Sequence, residues 1–416
     1  MERKQGFFTH RLPCGLRIIC APGATDVVYC GIAVDAGTRH ELDSESGMAH
    51  FTEHMSFKGT GRRSARQIIS AMEGVGGELN AFTGKEETVY YCTFLSQHIG
   101  RAIDLMLDIA LDSTFPQEEM SKEVEVVIDE IESYQDQPAE LIYDEFEGLV
   151  FPCHPLGRNI LGEADTLRTF RSADMQRFAQ RLYHPRRMVL YVLGNVKPER
   201  VVRLAEQALA HYDIPMQPAQ LPLLAPVAQT YDAGCSPIVR KKDTHQSHVI
   251  IGAQAFGGND PRHLHMYFLS NLLGGPAMSS RLNMSLRERN GLVYSVESNN
   301  VSYTDSGLWT AYFGCDAGDI RRCCRLVHHE LQRLTDAPLS QRVLDAARRQ
   351  LKGQIGISYD AFENLAIGMA KRYLHYGLTQ TKEELFARLD ALTPEELLAT
   401  AQTVFSPERL LTLEYV

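Results

Sequence analysis

Gly47-Met48-Ala49-His50-Phe51-Thr52-Glu53-His54-Met55-Ser56-Phe57-Lys58-Gly59-Thr60 is the stretch on which this 416-residue chain turns. It holds no proline, and a helix is predicted from Gly47 to about Phe57. His50 and His54 stand at i and i+4, so that helix carries both imidazoles one above the other on one face. Two nitrogens at this separation can hold one tetrahedral metal ion. Glu53 projects from a neighbouring flank, within reach of a water on such a metal. The same five residues are also compatible with two partly exposed helix histidines that bind nothing.

A third ligand decides between these readings, and the acidic run Glu123-Val124-Glu125-Val126-Val127-Ile128-Asp129-Glu130-Ile131-Glu132 offers candidates. Val124, Val127, Ile128 and Ile131 form the packing side of a helix predicted over Gln117–Tyr134. Glu123 and Glu130 lie two turns apart on one face, while Glu125, Asp129 and Glu132 fall elsewhere as solvated charges. Spacing alone leaves a solvated face open for Glu123 and Glu130 as well.

Composition narrows the class. Hydrophobic residues at 44% and charged residues at 23% are those of a globular protein, which excludes wholesale disorder. A net charge of −10 argues against nucleic acid as partner, since phosphate backbones want clustered Lys and Arg. No stretch approaches the ~20 uninterrupted apolar residues that span a bilayer, so no membrane partner is expected. The N-terminus runs into a mixed segment without an apolar signal core, and export is not indicated. Nine scattered cysteines, an odd number without a CxxC pair, read as reduced thiols of a cytoplasmic protein, with a bacterial setting expected.

Pro215, Pro218, Pro222 and Pro226 mark a stiff linker. The predicted division is 1–212 for an N-terminal metal-binding domain, 213–229 for the linker and 230–416 for a C-terminal domain. Before the linker, strands are predicted at Leu79–Thr83, Thr88–Leu95 and Met188–Gly194. Two more flank the turn at Pro22-Gly23-Ala24 within Leu16–Ile32, and helices lie between these strands. After the linker a similar order restarts with a strand at His248–Ala253 and ends with one at Leu410–Tyr415. The expected fold class is α+β: two similar domains, each a mixed or antiparallel sheet with helices packed on one face.

Two further motifs stand out. Gly76-Gly77-Glu78-Leu79-Asn80-Ala81-Phe82-Thr83 reads as a short strand after two glycines, able to present an open edge to an extended peptide. Ser279-Ser280-Arg281-Leu282-Asn283-Met284-Ser285-Leu286-Arg287-Glu288-Arg289-Asn290-Gly291-Leu292-Val293-Tyr294-Ser295 reads as a basic helix turning at Gly291 into a strand.

HFTEHMSFKGT followed by Glu130 resembles the signature of the pitrilysin-type, or inverzincin, zinc metallopeptidases. The likeness is nearest to the branch of mitochondrial processing peptidase and its bacterial relatives. It extends through the Asn80-Ala81 strand, His154-Pro155-Leu156-Gly157, the linker and the Arg287/Tyr294 motif. By position, the resemblance implies one zinc ion per chain held by His50, His54 and Glu130. Glu53 is then the general base toward a metal-bound water as nucleophile, and Glu123 supports the site without being a primary ligand. Asn80, Ala81 and Phe82 are the implied substrate-binding residues. Arg287 and Tyr294 are the implied contacts to the substrate carbonyl and its developing oxyanion, and Arg281 is structural.

The expected function is that of a zinc endopeptidase acting on peptides or unfolded polypeptide segments inside a closed chamber formed by a homodimer. A catalytically inactive structural or core subunit is the competing reading, yet a scaffold has no need of HxxEH, Glu130 or the Arg/Tyr pair. A non-catalytic metal binder leaves Glu53, Arg287 and Tyr294 unexplained. The acids Glu73, Glu78, Glu86 and Glu87 near the substrate strand raise the expectation that basic peptides are preferred.

Overall fold

The structure, a computed structural model, describes residues 2–4, 6–214, 227, 236–242 and 244–416. Two compact units emerge, and neither is continuous in sequence. The first comprises Met1–Ile131, Arg158–Leu224 and Ser358–Thr381, and the second Glu132–Gly157, Ala225–Ile357 and Lys382–Val416.

The first unit is built on a seven-stranded sheet. Its strands are β1 (Glu2–Lys4), β2 (Phe7–Arg11), β3 (Arg17–Pro22), β4 (Val27–Val34), β5 (Glu78–Thr83), β6 (Thr88–Leu95) and β7 (Met188–Gly194). Their spatial order is β1-β2-β3-β7-β4-β6-β5. Only the β3–β7 pairing is parallel. β7, the unbroken apolar run MVLYVLG, is buried along its whole length, as a central strand covered on both faces must be. It enters between β3 and β4, so the Pro22-Gly23 turn joins two strands that do not pair.

Alternation sorts the strand side chains onto two faces. Ile18, Cys30, Ile32, Tyr90 and Leu190 point into the main core, which they share with helices Met48–Ser56, Ala65–Glu73, Ile99–Asp112, Ser172–Leu182 and Pro198–Leu209. Ile19, Ala33, Val89, Val189 and Tyr191 point the other way and are covered by Ala366, Met369, Ala370 and Leu374 of helix Phe362–Tyr376. Arg17 donates to the Tyr373 and Leu374 carbonyls at 2.9 and 3.0 Å, which satisfies the last turn of that helix.

The second unit carries a five-stranded sheet of β8 (Ile238–Arg240), β9 (Ser247–Ala255), β10 (Val293–Ser302), β11 (Gly307–Cys315) and β12 (Leu411–Tyr415), in the order β10-β11-β9-β12-β8. Helix Pro138–Val150 covers one face, with Ile142, Phe146 and Val150 packed on Ile250, Leu308, Tyr312 and Leu413. Gly252 of β9 makes room for it: a Cβ there would lie 2.8 Å from the Phe146 ring and 2.4 Å from the Trp309 carbonyl.

The units therefore depart from the 1–212 and 230–416 division in two segments. Residues 132–157 belong to the second unit and residues 358–381 to the first. The reason is burial, because each sheet has two apolar faces and the second face is covered by a helix from the other half of the chain. Of the expected linker 213–229, only residues 213, 214 and 227 are among those described. The expected basic helix is a π-helical run, Asn283–Glu288, before Gly291 with φ 62°. Among the described residues no helix is long and apolar enough to cross a membrane. The eight described cysteines are all unpaired, and Cys235 lies outside the described residues.

Candidate metal centre

Helix Met48–Ser56 buries Met48, Ala49, Phe51 and Met55 in the main core, which turns His50, Glu53 and His54 to the opposite side. Its start is held by a buried carboxylate: Glu41 accepts the Gly47 N–H at 3.2 Å and the Ala49 N–H at 2.8 Å. An acid at a helix N-terminus meets both the unpaired N–H groups and the positive end of the dipole. Burial nevertheless pushes the Glu41 carboxyl up to about 8, against the pull of those two N–H groups.

His50, His54 and Glu130 offer ligand atoms that all lie within 4.8 Å of one another. Nε2 of His50 is 3.8 Å from Oε2 of Glu130, and Nε2 of His54 is 3.7 Å from the same oxygen. Metal–ligand bonds of about 2.0–2.1 Å in a tetrahedron require ligand–ligand edges of about 3.3 Å, so the two edges to Glu130 are about 0.5 Å too long. Two imidazoles and one carboxylate are the donor set of a zinc site with one open position. The Glu130 side chain, 44% exposed, forms the open side of this triangle.

Burial, reinforced by His54, pushes His50 down to about 3, so its ring is neutral and keeps a lone pair for a metal. Its Nδ1 is buried without a hydrogen-bond partner among the described residues. His54 differs. Its Nδ1–H donates to Glu123 at 2.9 Å, and Glu123 also takes the Lys58 ammonium at 2.5 Å. Burial would lower His54, but the hydrogen bond to Glu123 and the charges of Glu53 and Glu130 outweigh it and hold the ring above its usual value. Burial likewise would raise Glu123, and the bonds from His54 and Lys58 bring it below the usual carboxylate range.

Glu53 is buried beside this cluster. Burial raises its carboxyl and Glu130 adds to the rise, while the Thr83 hydroxyl and His54 oppose it. Thr83 Oγ1 donates to Glu53 Oε2 at 2.6 Å. Thr83 ends β5, which lies at the sheet edge and pairs with β6 alone among the described strands. Leu79, Ala81 and Thr83 point to one side of that strand, Asn80 and Phe82 to the other. Leu79 and Ala81 pack against the core that holds the HxxEH helix, and Phe82 joins the opposite face. Asn80 is exposed, with its Oδ1 accepting the Ala81 N–H at 3.1 Å.

Arg287 and Tyr294 form their own pair in the second unit, the guanidinium carbon 5.8 Å from the Tyr294 ring centroid. Tyr294 is 80% exposed. The expectation drawn from Glu86 and Glu87 needs correcting. Both are buried and ion-paired, Glu86 with Arg39 at 2.7 Å and Glu87 with Lys371 at 2.5 Å and His375 at 2.8 Å. They present no acidic surface to a peptide, whereas Glu73 and Glu78 are exposed.

The sequence reading did not single out Glu41, Lys58 or Thr83. Strand parity puts Thr83 on the side of Leu79 and Ala81 but does not name what faces it, and Lys58, one turn beyond His54, was the signal for a cation near Glu123.

Residues 18–164 match the family described as Insulinase (Peptidase family M16), and residues 169–351 match Peptidase M16 inactive domain. Over the whole chain, the Bacillus subtilis protein named "Uncharacterized zinc protease YmxG" is 32% identical across 400 residues, 96% of each chain. The chain belongs to peptidase family M16. A Streptomyces coelicolor relative of the M16 chain, "Uncharacterized zinc protease SCO5738", is 33% identical over 94% of this chain and 86% of its own. The fold is that of the crystal structure of a protease from Helicobacter pylori, with a TM-score of 0.90, 21% identity and 99% of each chain covered. This agrees with the pitrilysin-type resemblance and with two M16-like α+β domains.

Proposed function

We propose that this M16 chain is a zinc endopeptidase that hydrolyses peptides or unfolded polypeptide segments, with one zinc per chain. The observation that carries the reading is a buried carboxylate, Glu53, on the same helix as two imidazoles whose Nε2 atoms converge with Glu130. When bound, the metal supplies a Lewis acid for water and the scissile carbonyl. His50, His54 and Glu130 hold it. Glu53 accepts a proton from the attacking water and returns it to the leaving amine, work suited to a carboxyl whose affinity for protons is raised by burial.

The open edge of β5 takes the substrate as an added strand, with Asn80, Ala81 and Phe82 alongside it. Arg287 and Tyr294 donate to the carbonyl oxygen as charge develops on it. Two copies of the chain enclose the chamber in which this occurs, and the setting is the bacterial cytoplasm. Glu73 and Glu78 alone remain to favour basic peptides.

The test is cleavage of an unstructured peptide mixture, read by mass spectrometry, for the zinc-loaded chain beside Glu53→Gln. Cleavage by the wild type alone is expected. No cleavage by a zinc-loaded dimer would sink the reading in favour of a structural subunit, and cleavage by both would remove Glu53 from its role. Light scattering after size exclusion tests the assembly, and a fully active monomer would overturn the homodimer.

A further inference from the structure

We propose that Thr83 is a positioning residue for the base: it holds the Glu53 carboxylate by Oε2 and leaves Oε1 to take the proton. This rests on the peptidase reading above and adds a residue to it. The contact is 2.6 Å, in the range of a charge-assisted O–H···O⁻ bond. A carboxylate has no hydrogen to give, so the Thr83 hydroxyl is the donor and its one hydrogen is committed to Oε2. The second hydroxyl nearby, Thr88 Oγ1, lies 3.4 Å from Thr83 Oγ1 and donates to the Ala36 carbonyl at 2.8 Å. It therefore does not compete for Glu53.

The peg is fixed by its surroundings. Thr83 pairs with Thr88 across the β5–β6 hairpin, and the hairpin turn closes with the Gly84 N–H on the Glu87 carbonyl at 2.7 Å. The turn is tied down in turn: the Arg39 N–H donates to the Lys85 carbonyl at 2.8 Å, and the ion pairs of Glu86 with Arg39 and of Glu87 with Lys371 and His375 are all buried on their acidic side. A glutamate side chain has three rotatable bonds, and a rigid donor at its tip removes that freedom before reaction. Thr83 also ends the strand whose open edge is proposed to take the peptide. Substrate docking and the aim of the base then share one element, and a peptide added along β5 braces the residue that directs Glu53.

The test uses the full chain with Thr83→Val, which keeps the shape and removes the hydroxyl, and Thr83→Ser, which keeps the hydroxyl. With zinc loaded and an unstructured fluorogenic peptide as substrate, Thr83→Val is expected to lower kcat by about 10- to 100-fold, the upper figure being the scale of a misplacement of about 1 Å, with KM little changed. Thr83→Ser is expected to stay near wild type. Should Thr83→Val not fold, Thr83→Ala removes the same hydroxyl and takes its place. Crystal structures of the metal-free wild type and hydroxyl-less variant give a readout independent of turnover, and the Glu53 carboxylate is expected to leave its wild-type rotamer in the variant. A wild-type kcat without the hydroxyl, or an unmoved Glu53, would overturn the proposal. If the wild type cleaves nothing, the peptidase reading fails, and the two metal-free structures decide the Thr83 inference by the same criterion.

Discussion

Glu123 receives the Nδ1–H of His54 at 2.9 Å, which leaves Nε2 of that ring turned toward Glu130. The hydrogen bond sets the tautomer and the ring plane that a metal needs, and Lys58 keeps the carboxylate ionised from its other oxygen. Glu123→Ala is expected to weaken zinc affinity by about 10- to 100-fold while leaving the ligands in place. Competition with a chromogenic chelator measures this, and an affinity equal to wild type would show that His54 orients itself unaided.

Zinc content separates ligands from neighbours. Wild type and Glu53→Gln are each expected to hold one equivalent per chain by elemental analysis, whereas His50→Ala and Glu130→Ala are expected to lose it on dialysis. Retention by His50→Ala would put the metal elsewhere.

His375 and Glu87 form a buried pair at 2.8 Å on the far side of the sheet from the metal, with Lys371, Glu86 and Asp35 facing the same group. Burial lowers His375, but Glu87, Glu86 and Asp35 outweigh it, so its folded value lies above 6.5. Burial raises Glu87, and His375 with Lys371 bring it below 4.5. The His375 contribution is therefore complete below its unfolded value and fades as pH rises through the raised folded one. The Glu87 contribution runs the other way and is lost in acid. His375→Gln keeps a neutral donor and removes the charge. It is expected to cost about 1–2 kcal/mol at about pH 5.5, and much less near pH 9. Denaturant titrations at both pH values read this, and a cost independent of pH would refute it.

Gly252→Ala is expected to destabilise the second unit by about 1–3 kcal/mol through overpacking, because the new Cβ meets the Trp309 carbonyl and the Phe146 ring. Limited proteolysis should then cut first near helix Pro138–Val150. Unchanged cutting and stability would mean that the helix does not rely on that close approach.

Local patterns carried much of the reading. The helix over the HxxEH segment and the strands at 78–83 and 88–95 come from short-range periodicity and turn residues. Long-range order did not. Nothing near Pro22-Gly23 announces that β7, more than 160 residues later, will enter between β3 and β4. Helix Phe362–Tyr376 makes its contacts through Ala366, Met369, Ala370 and Leu374, a stripe rich in small residues with a weak apolar signal. Helix Ser172–Leu182 shows only Met175, Phe178 and Leu182 among arginines and glutamines. The histidine pair of HxxEH was legible because one helix turn sets its spacing, whereas Glu130, 76 residues after His54, came only from the family resemblance. Thr83 was not legible, because a hydroxyl on a strand has meaning only once the element facing it is known.

The exchange of helices between the two halves has a consequence for how the chain is made. All three candidate ligand residues have left the ribosome soon after Glu130, yet Ile19, Ala33, Val89, Val189 and Tyr191 stay uncovered until Phe362–Tyr376 has been synthesised. The first unit is complete only after its segment Ser358–Thr381 has been synthesised. A fragment ending near residue 214 would keep every candidate ligand and still expose an apolar sheet face.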